Sequence, residues 1–202
     1  GGPGTAEPSV RAATSLEIFA DMVRNVGGAR VDVDALLPPG ADPHTYELTP
    51  NRVADVARAD VVFINGLALE EAIQDVIDAN ATGPVIELAE GLPAIGAGEG
   101  NPHLWLDVRL AARYVERIRD ALIEQDPAGR PTYEANAAAY LEQLGDLDRE
   151  MEDAVNAIPP ERRKLVTFHD AFPYLAARYG LEIVAVAVPS PGAKGSIKRL
   201  DL

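Results

Sequence analysis

Over roughly the first ninety residues, short apolar runs alternate with amphipathic stretches of about ten residues. Residues 9–15 have weak strand character, and residues 16–26 space their apolar side chains as a helix does. The pair Gly27-Gly28 predicts a left-handed C-terminal cap for that helix. Residues 31–37 (VDVDALL) alternate and then turn apolar, which predicts a strand. Thr49-Pro50 offers an N-cap and a first-turn proline for a helix over 50–59. A buried strand is expected over 60–65 (DVVFIN), a helix over 69–79 and a fourth strand over 84–88. Such alternation predicts βαβ units and a mostly parallel sheet. Residues 89–102 read as a loop carrying glycines at 91, 96, 98 and 100, and Asp107 then caps a helix running to about residue 125.

The longest helical pattern covers 131–158. Tyr133, Ala137, Tyr140, Leu144, Leu147, Met151, Ala154 and Ile158 follow one another in steps of four and three, so one face is apolar along nearly the whole stretch. At 1.5 Å per residue it would span roughly 42 Å, long enough to join two lobes. Gly145 in its interior costs roughly 1 kcal/mol relative to alanine and marks a point where the helix can bend. Pro159-Pro160 ends it. A strand over 164–168 with His169 at its end, a helix over 170–179 and a strand over 181–188 begin a second βαβ unit. Residues 193–202 (AKGSIKRLDL) are not expected to carry that sheet onward. The expectation is an α/β protein in which a parallel-sheet βα lobe is joined by one long helix to a second, incomplete α/β lobe. Its divisions are a flexible leader over 1–8, a first lobe over 9–129, a linker over 130–160 and the start of a second lobe over 161–202.

Composition narrows the functional classes. The chain has 202 residues, 47% of them hydrophobic, and a net charge of -14. That acidity repels phosphate backbones, so no nucleic-acid partner is expected. Cysteine is absent, which removes disulfides, thiolate metal sites and a cysteine nucleophile, and leaves histidine and carboxylate as the strong metal ligands. No apolar run approaches the roughly 18–20 residues of a membrane span. The opening GGPGTAEP is not a signal peptide; it fits the mature end of an exported precursor or a fragment boundary.

Three histidines carry the candidate chemistry: His44, His103 and His169. Taken singly, a histidine beside a proline in a loop is more often a surface or capping residue than a ligand. Together they form a pattern. Each falls at a loop junction after a strand or a strand-derived loop, the edge at which open α/β sheets bind their ligands. Two arrive in similar tripeptides, Asp42-Pro43-His44 and Asn101-Pro102-His103, in which proline stiffens the approach. Neutral imidazole suits zinc, and manganese or iron when oxygen ligands complete the shell. Tyr46, Trp105 and Phe172 lie two or three residues from a histidine and read as packing that screens it from water. Glu47 reads either as an acceptor for an imidazole N–H or as a solvated loop residue. Asp170 reads as the cap of the next helix or as a carboxylate that holds the neighbouring imidazole.

Three segments extend the pattern: GADPHTYELTPNRVADVARADVVFINGLALE, NPHLWLDVRLAARYVERI and RKLVTFHDAFPYLAARYGLEIVAV. In that order, each with its histidine, they resemble the metal-binding solute-binding proteins of the ABC importers that take up zinc and manganese. The resemblance runs from about residue 10 to residue 188. It implies two α/β lobes joined by one long helix with the metal between them. It also implies His44 and His103 as ligands from the first lobe and His169 from the second. Family members draw a fourth ligand from a carboxylate much later in the second lobe, which continues for roughly another hundred residues. No residue here is carried over to that role, and the chain reads as C-terminally truncated.

The resemblance further implies a periplasmic or outer-surface location, possible lipid anchoring of a precursor, an ABC permease of the cell membrane as partner, and no enzymatic activity. Zinc is the first expectation and manganese the second. Two other classes stay open: a zinc hydrolase built on three histidines, against which there is no HExxH, and a metal-independent surface adhesion protein. An unfinished second lobe would also expose apolar surface over 181–188 and favour self-association.

Overall fold

The uninterrupted apolar run Val61–Ile64 becomes the centre of the fold. In the computed structural model, which describes residues 8–188 and 198–199, this strand is buried along its whole length. The strands of the first sheet are β1 (Val10–Thr14), β2 (Val31–Ala35), β3 (Val61–Ile64) and β4 (Val85–Glu87), in spatial order β2-β1-β3-β4 and parallel throughout. Because side chains alternate across a strand, Val61 and Phe63 enter one apolar cluster while Val62 and Ile64 enter another on the opposite face. The helices α1 (Glu17–Gly27), α4 (Val108–Gln125) and α5 (Arg130–Asn156) fill the first cluster with Phe19, Val23, Tyr114, Ile118 and Tyr133. The helices α2 (Pro50–Arg58) and α3 (Glu71–Asn80) close the second with Val56, Ile73 and Ile77.

Several local expectations need correction. The second strand stops at Ala35, although Leu36 and Leu37 stay buried and their N–H groups still bond to the carbonyls of Thr14 and Ser15. Thr49 does precede a helix with proline in its first turn, but its hydroxyl makes no cap bond. Gly28 has φ +56° and ψ −143°, a region open to glycine but not the left-handed helical one expected. Asp107 caps α4 as expected, accepting from the Arg109 N–H at 2.8 Å.

The linker α5 is a single helix of 27 residues, about 40 Å long. Tyr133, Ala137 and Leu144 of the expected stripe are buried, and the helix packs there against α1 and α4. Beyond Leu144 the stripe fails: Leu147 and Ile158 are exposed, and Val155 is buried instead of Ala154. A straight helix leaves the first sheet's core at that point, so one continuous face no longer has one continuous partner. Among the described residues no helix is long and apolar enough to cross a membrane.

After α5 come β5 (Lys164–His169), α6 (Pro173–Tyr179) and β6 (Glu182–Val188), with β5 and β6 parallel. Contrary to expectation, the sheet does continue: β7 (Lys198–Arg199) pairs antiparallel with Ala185 and Val186. The edge of β6 offers unpaired N–H and C=O groups, and a returning segment satisfies some of them. The stretch 189–197, the leader 1–7 and Asp201 lie outside the described residues. Asp148 on α5 ties α6 to the linker helix, accepting from Arg178 Nε at 2.9 Å and Nη2 at 2.6 Å and from the Tyr179 hydroxyl at 3.0 Å.

Candidate metal centre

His169 ends a strand, while His44 and His103 lie in the loops that follow two strands of the first sheet. His44 follows β2 in the segment leading to α2. There the Asp42 carboxylate accepts from the His44 N–H at 3.0 Å, a turn that aspartate forms with its own chain two residues on. His103 comes after β4 and its loop, and is only 7% exposed. His169 is the last residue of β5, paired in register with Val188 of β6.

The fold brings the three together. The ring centroids of His44 and His103 are 5.8 Å apart, and those of His103 and His169 are 5.2 Å apart. The Nε2 atoms of His103 and His169 approach to 3.3 Å. Only two buried side-chain polar atoms among the described residues lack a hydrogen-bond partner: Nε2 of His44, and Oγ1 of Thr167, two residues before His169 on β5. Among the described residues no group of three or more histidine, aspartate or glutamate side chains is drawn tightly enough to enclose an ion. The imidazoles form an open arc with His103 in the middle.

Burial acts on the charge of His103 and His44. Desolvation pushes the His103 imidazolium down to about 4, and proximity to His169 and His44 adds to the shift. His44 is lowered too, by burial first, with Asp42 pulling the other way and His169 adding to the lowering. His103 is therefore neutral, with a lone pair to offer, far below neutral pH. The apolar wall behind it is aromatic. Trp105 packs on His103 at 5.3 Å and meets Phe19 edge-on at 5.3 Å, and Phe19 in turn lies 5.8 Å from Tyr114.

Asn101, which spacing alone did not single out, decides which nitrogen carries that lone pair. Its Nδ2 donates to the carbonyl of Asp170 at 2.5 Å, and a carbonyl can only accept. The amide oxygen must then face His103, where it accepts from the backbone N–H at 3.0 Å and lies 2.9 Å from Nδ1. Nδ1 therefore bears the hydrogen, and Nε2 presents its lone pair toward His169. Neither Glu47 nor the Asp170 carboxylate bonds to an imidazole, and Asp170 does not cap α6, which begins at Pro173 after Phe172. The signal for Asn101 was present in its tripeptide, since an Asx side chain two residues ahead bonds forward in the same way in Asp42-Pro43-His44.

Asn65 holds the other side of the loop. Fully buried, it donates from Nδ2 to the carbonyl of Pro102 at 2.8 Å and accepts from the Tyr114 hydroxyl at 2.6 Å. Its own N–H goes to Glu70, which also accepts from Ser15 Oγ at 2.6 Å and from the N–H of Gly66. Burial raises the Glu70 carboxyl, partly offset by those donors. Between Asn65 and Glu70 the backbone is left-handed at Gly66, Leu67 and Ala68, with φ of +82°, +54° and +55°. This is strain that the carboxylate's bonds hold in place.

The description "zinc-uptake complex component A, periplasmic" (ZnuA) covers a family whose profile matches residues 13–201. The chain belongs to this family. A manganese-binding lipoprotein of Halalkalibacterium halodurans is 38% identical over 188 residues, covering 91% of this chain and 63% of that protein. An iron-binding protein of Yersinia pestis is 34% identical, covering 90% and 60%. Among solved structures, the periplasmic zinc-binding protein of Treponema pallidum superposes with a TM-score of 0.81 at 32% identity, covering 88% of this chain and 65% of that one. The manganese-bound periplasmic metal-binding protein of Candidatus Liberibacter asiaticus gives 0.84 at 29% identity, covering 92% and 71%. The chain thus spans 60–63% of the length of these two curated relatives.

Proposed function

We propose that the chain is part of an extracytoplasmic solute-binding protein, periplasmic or on the outer surface, that binds a divalent transition metal as cargo and passes it to an ABC permease. In this reading residues 9–129 form one lobe, 130–160 the linker and 161–202 the beginning of another, with His44, His103 and His169 as ligands across the cleft. The observation that carries it is the orphaned, buried Nε2 of His44 beside two imidazoles whose own Nε2 atoms meet at 3.3 Å. A buried polar nitrogen without a partner is costly. In the metal-free chain His169 can donate a proton to the His103 lone pair, and a cation would replace that proton.

The donors on hand are neutral nitrogens, which suit zinc better than manganese, an ion that leans on oxygen ligands. Relatives named for manganese and for iron mark the alternatives. Binding rather than hydrolysis is favoured because the relatives are named as metal-binding lipoproteins and binding proteins. Titration calorimetry on chelated protein tests the reading. Zinc should bind one per chain, and His103→Ala should weaken it at least tenfold. Zinc binding unchanged by His44→Ala and His103→Ala would overturn the site. Ester turnover by zinc-loaded protein that is lost in His103→Ala would favour the hydrolase. A wild-type protein whose melting temperature ignores every added metal would favour adhesion.

A further inference from the structure

The loop before His103 is closed at its neck, where the Asn101 N–H donates to the Ile95 carbonyl at 2.7 Å. The closure is tight: a Cβ on Gly100 would come within 2.5 Å of the Ala94 side chain. The neck is gripped from beyond the linker helix. Tyr174 of α6 is 2% exposed, and its hydroxyl accepts from the Ile95 N–H at 2.9 Å while donating to the Asn101 carbonyl at 2.6 Å. The Asn101 side chain completes the connection, with its oxygen on His103 and its nitrogen on the carbonyl of Asp170, the residue after His169. One side chain therefore touches both the histidine of the first sheet and the strand end that bears the histidine of the second.

We infer that Asn101 and Tyr174 are positioning residues: they hold His103 and His169 in mutual register, with the Nε2 lone pair of His103 aimed across the cleft, before any ion arrives. This rests on the metal-binding reading above. Partners that orient a ligating imidazole typically contribute ten- to a hundredfold in metal affinity. Here the same groups also span the cleft, so losing them should loosen the spacing of the pair as well as the orientation of one ring.

Tyr174→Phe keeps the buried ring and removes only the hydroxyl. Tyr133→Phe is its control, since that hydroxyl donates to Asp126 at 2.7 Å, within the first apolar core and its flank. Both variants should melt earlier than the wild type. Zinc affinity by competition with a chromophoric chelator should fall about tenfold or more in Tyr174→Phe and Asn101→Ala, and less than twofold in Tyr133→Phe. Nitrogen NMR of the metal-free imidazoles gives a readout that needs no ion: the wild type should show His103 as the single Nδ1–H tautomer, and Asn101→Ala a mixture. If the wild type takes up no zinc but the tautomer still depends on Asn101, the metal reading fails and the positioning stands. Wild-type zinc affinity in both Tyr174→Phe and Asn101→Ala, or a tautomer indifferent to Asn101→Ala, would overturn the inference.

Discussion

The two sheets solve the same problem with different amounts of burial. In the first, β3 is sealed on both faces, and its four side chains divide between two apolar clusters. In the second, β5 turns Thr167 inward but leaves Val166 73% and Phe168 75% exposed on its other face. Yet His169 at the end of β5 meets His103, delivered by the long loop after β4, and the two Nε2 atoms approach to 3.3 Å. Placement of the candidate ligands follows from strand direction and loop bonding, and it does not require that both supporting sheets be equally well packed. The site has one rigid, desolvated wall built on His103 and one more open wall built on His169.

The largest expected effect breaks that comparison directly. Phe63→Ala should cost about 3–5 kcal/mol, because a fully buried ring leaves a cavity in a packed core. Phe168→Ala should cost less than about 1 kcal/mol, since most of that ring is already in water. Urea unfolding of the two variants checks this, and similar losses would mean that the exposed face of β5 is covered in solution.

The elements of the first sheet were legible from periodicity, because a parallel strand buried on both faces reads as a continuous apolar run and its helices as amphipathic stretches. The three histidines were legible as candidates through their local setting and through family resemblance. What was not legible is what holds them. Asn65 and Tyr174 act through hydrogen bonds to segments distant in sequence, and of Asn101 only the forward bond to His103 was readable in its tripeptide, not the bond across to Asp170. The left-handed turn at Gly66–Ala68 was hidden for a similar reason, as its stability comes from the Glu70 carboxylate accepting backbone N–H groups. The fading of the stripe on α5 is a tertiary fact: the pattern continues after the partner surface has ended.

A second effect sharpens the contrast between the walls through pH. His103 titrates at about 4 in the folded chain because it is buried, whereas an unfolded histidine titrates near 6.5. Between those values the unfolded state binds the extra proton and the folded state does not, so stability falls as pH drops through that window and levels off below it. One such proton corresponds to at most about 1.4 kcal/mol per pH unit. The lowered His44 acts with the same sign. Thermal melts in chelator at pH 7.5 and 4.5 should show a smaller acid loss in His103→Gln than in the wild type, and equal losses would refute the buried neutral imidazole.

The smallest effect concerns the helix that both sheets share. Gly145 lies inside α5 without ending it, and a Cβ there would meet nothing nearer than Arg149 Nη1 at 3.7 Å. Helix-interior glycine is penalised chiefly through the freedom it has in the unfolded chain, and here the folded state has room for a methyl group. Gly145→Ala should therefore stabilise the protein by about 0.5–1 kcal/mol, a rise of a few degrees in melting temperature. The position also separates two roles. The helix packs on the first core up to Leu144 and holds α6 through Asp148. If α5 is a rigid strut, Gly145→Ala raises stability and leaves zinc affinity and its off-rate unchanged. If the site closes by bending at Gly145, the same substitution raises stability but slows or weakens zinc capture, and stopped-flow measurement of zinc uptake separates the two.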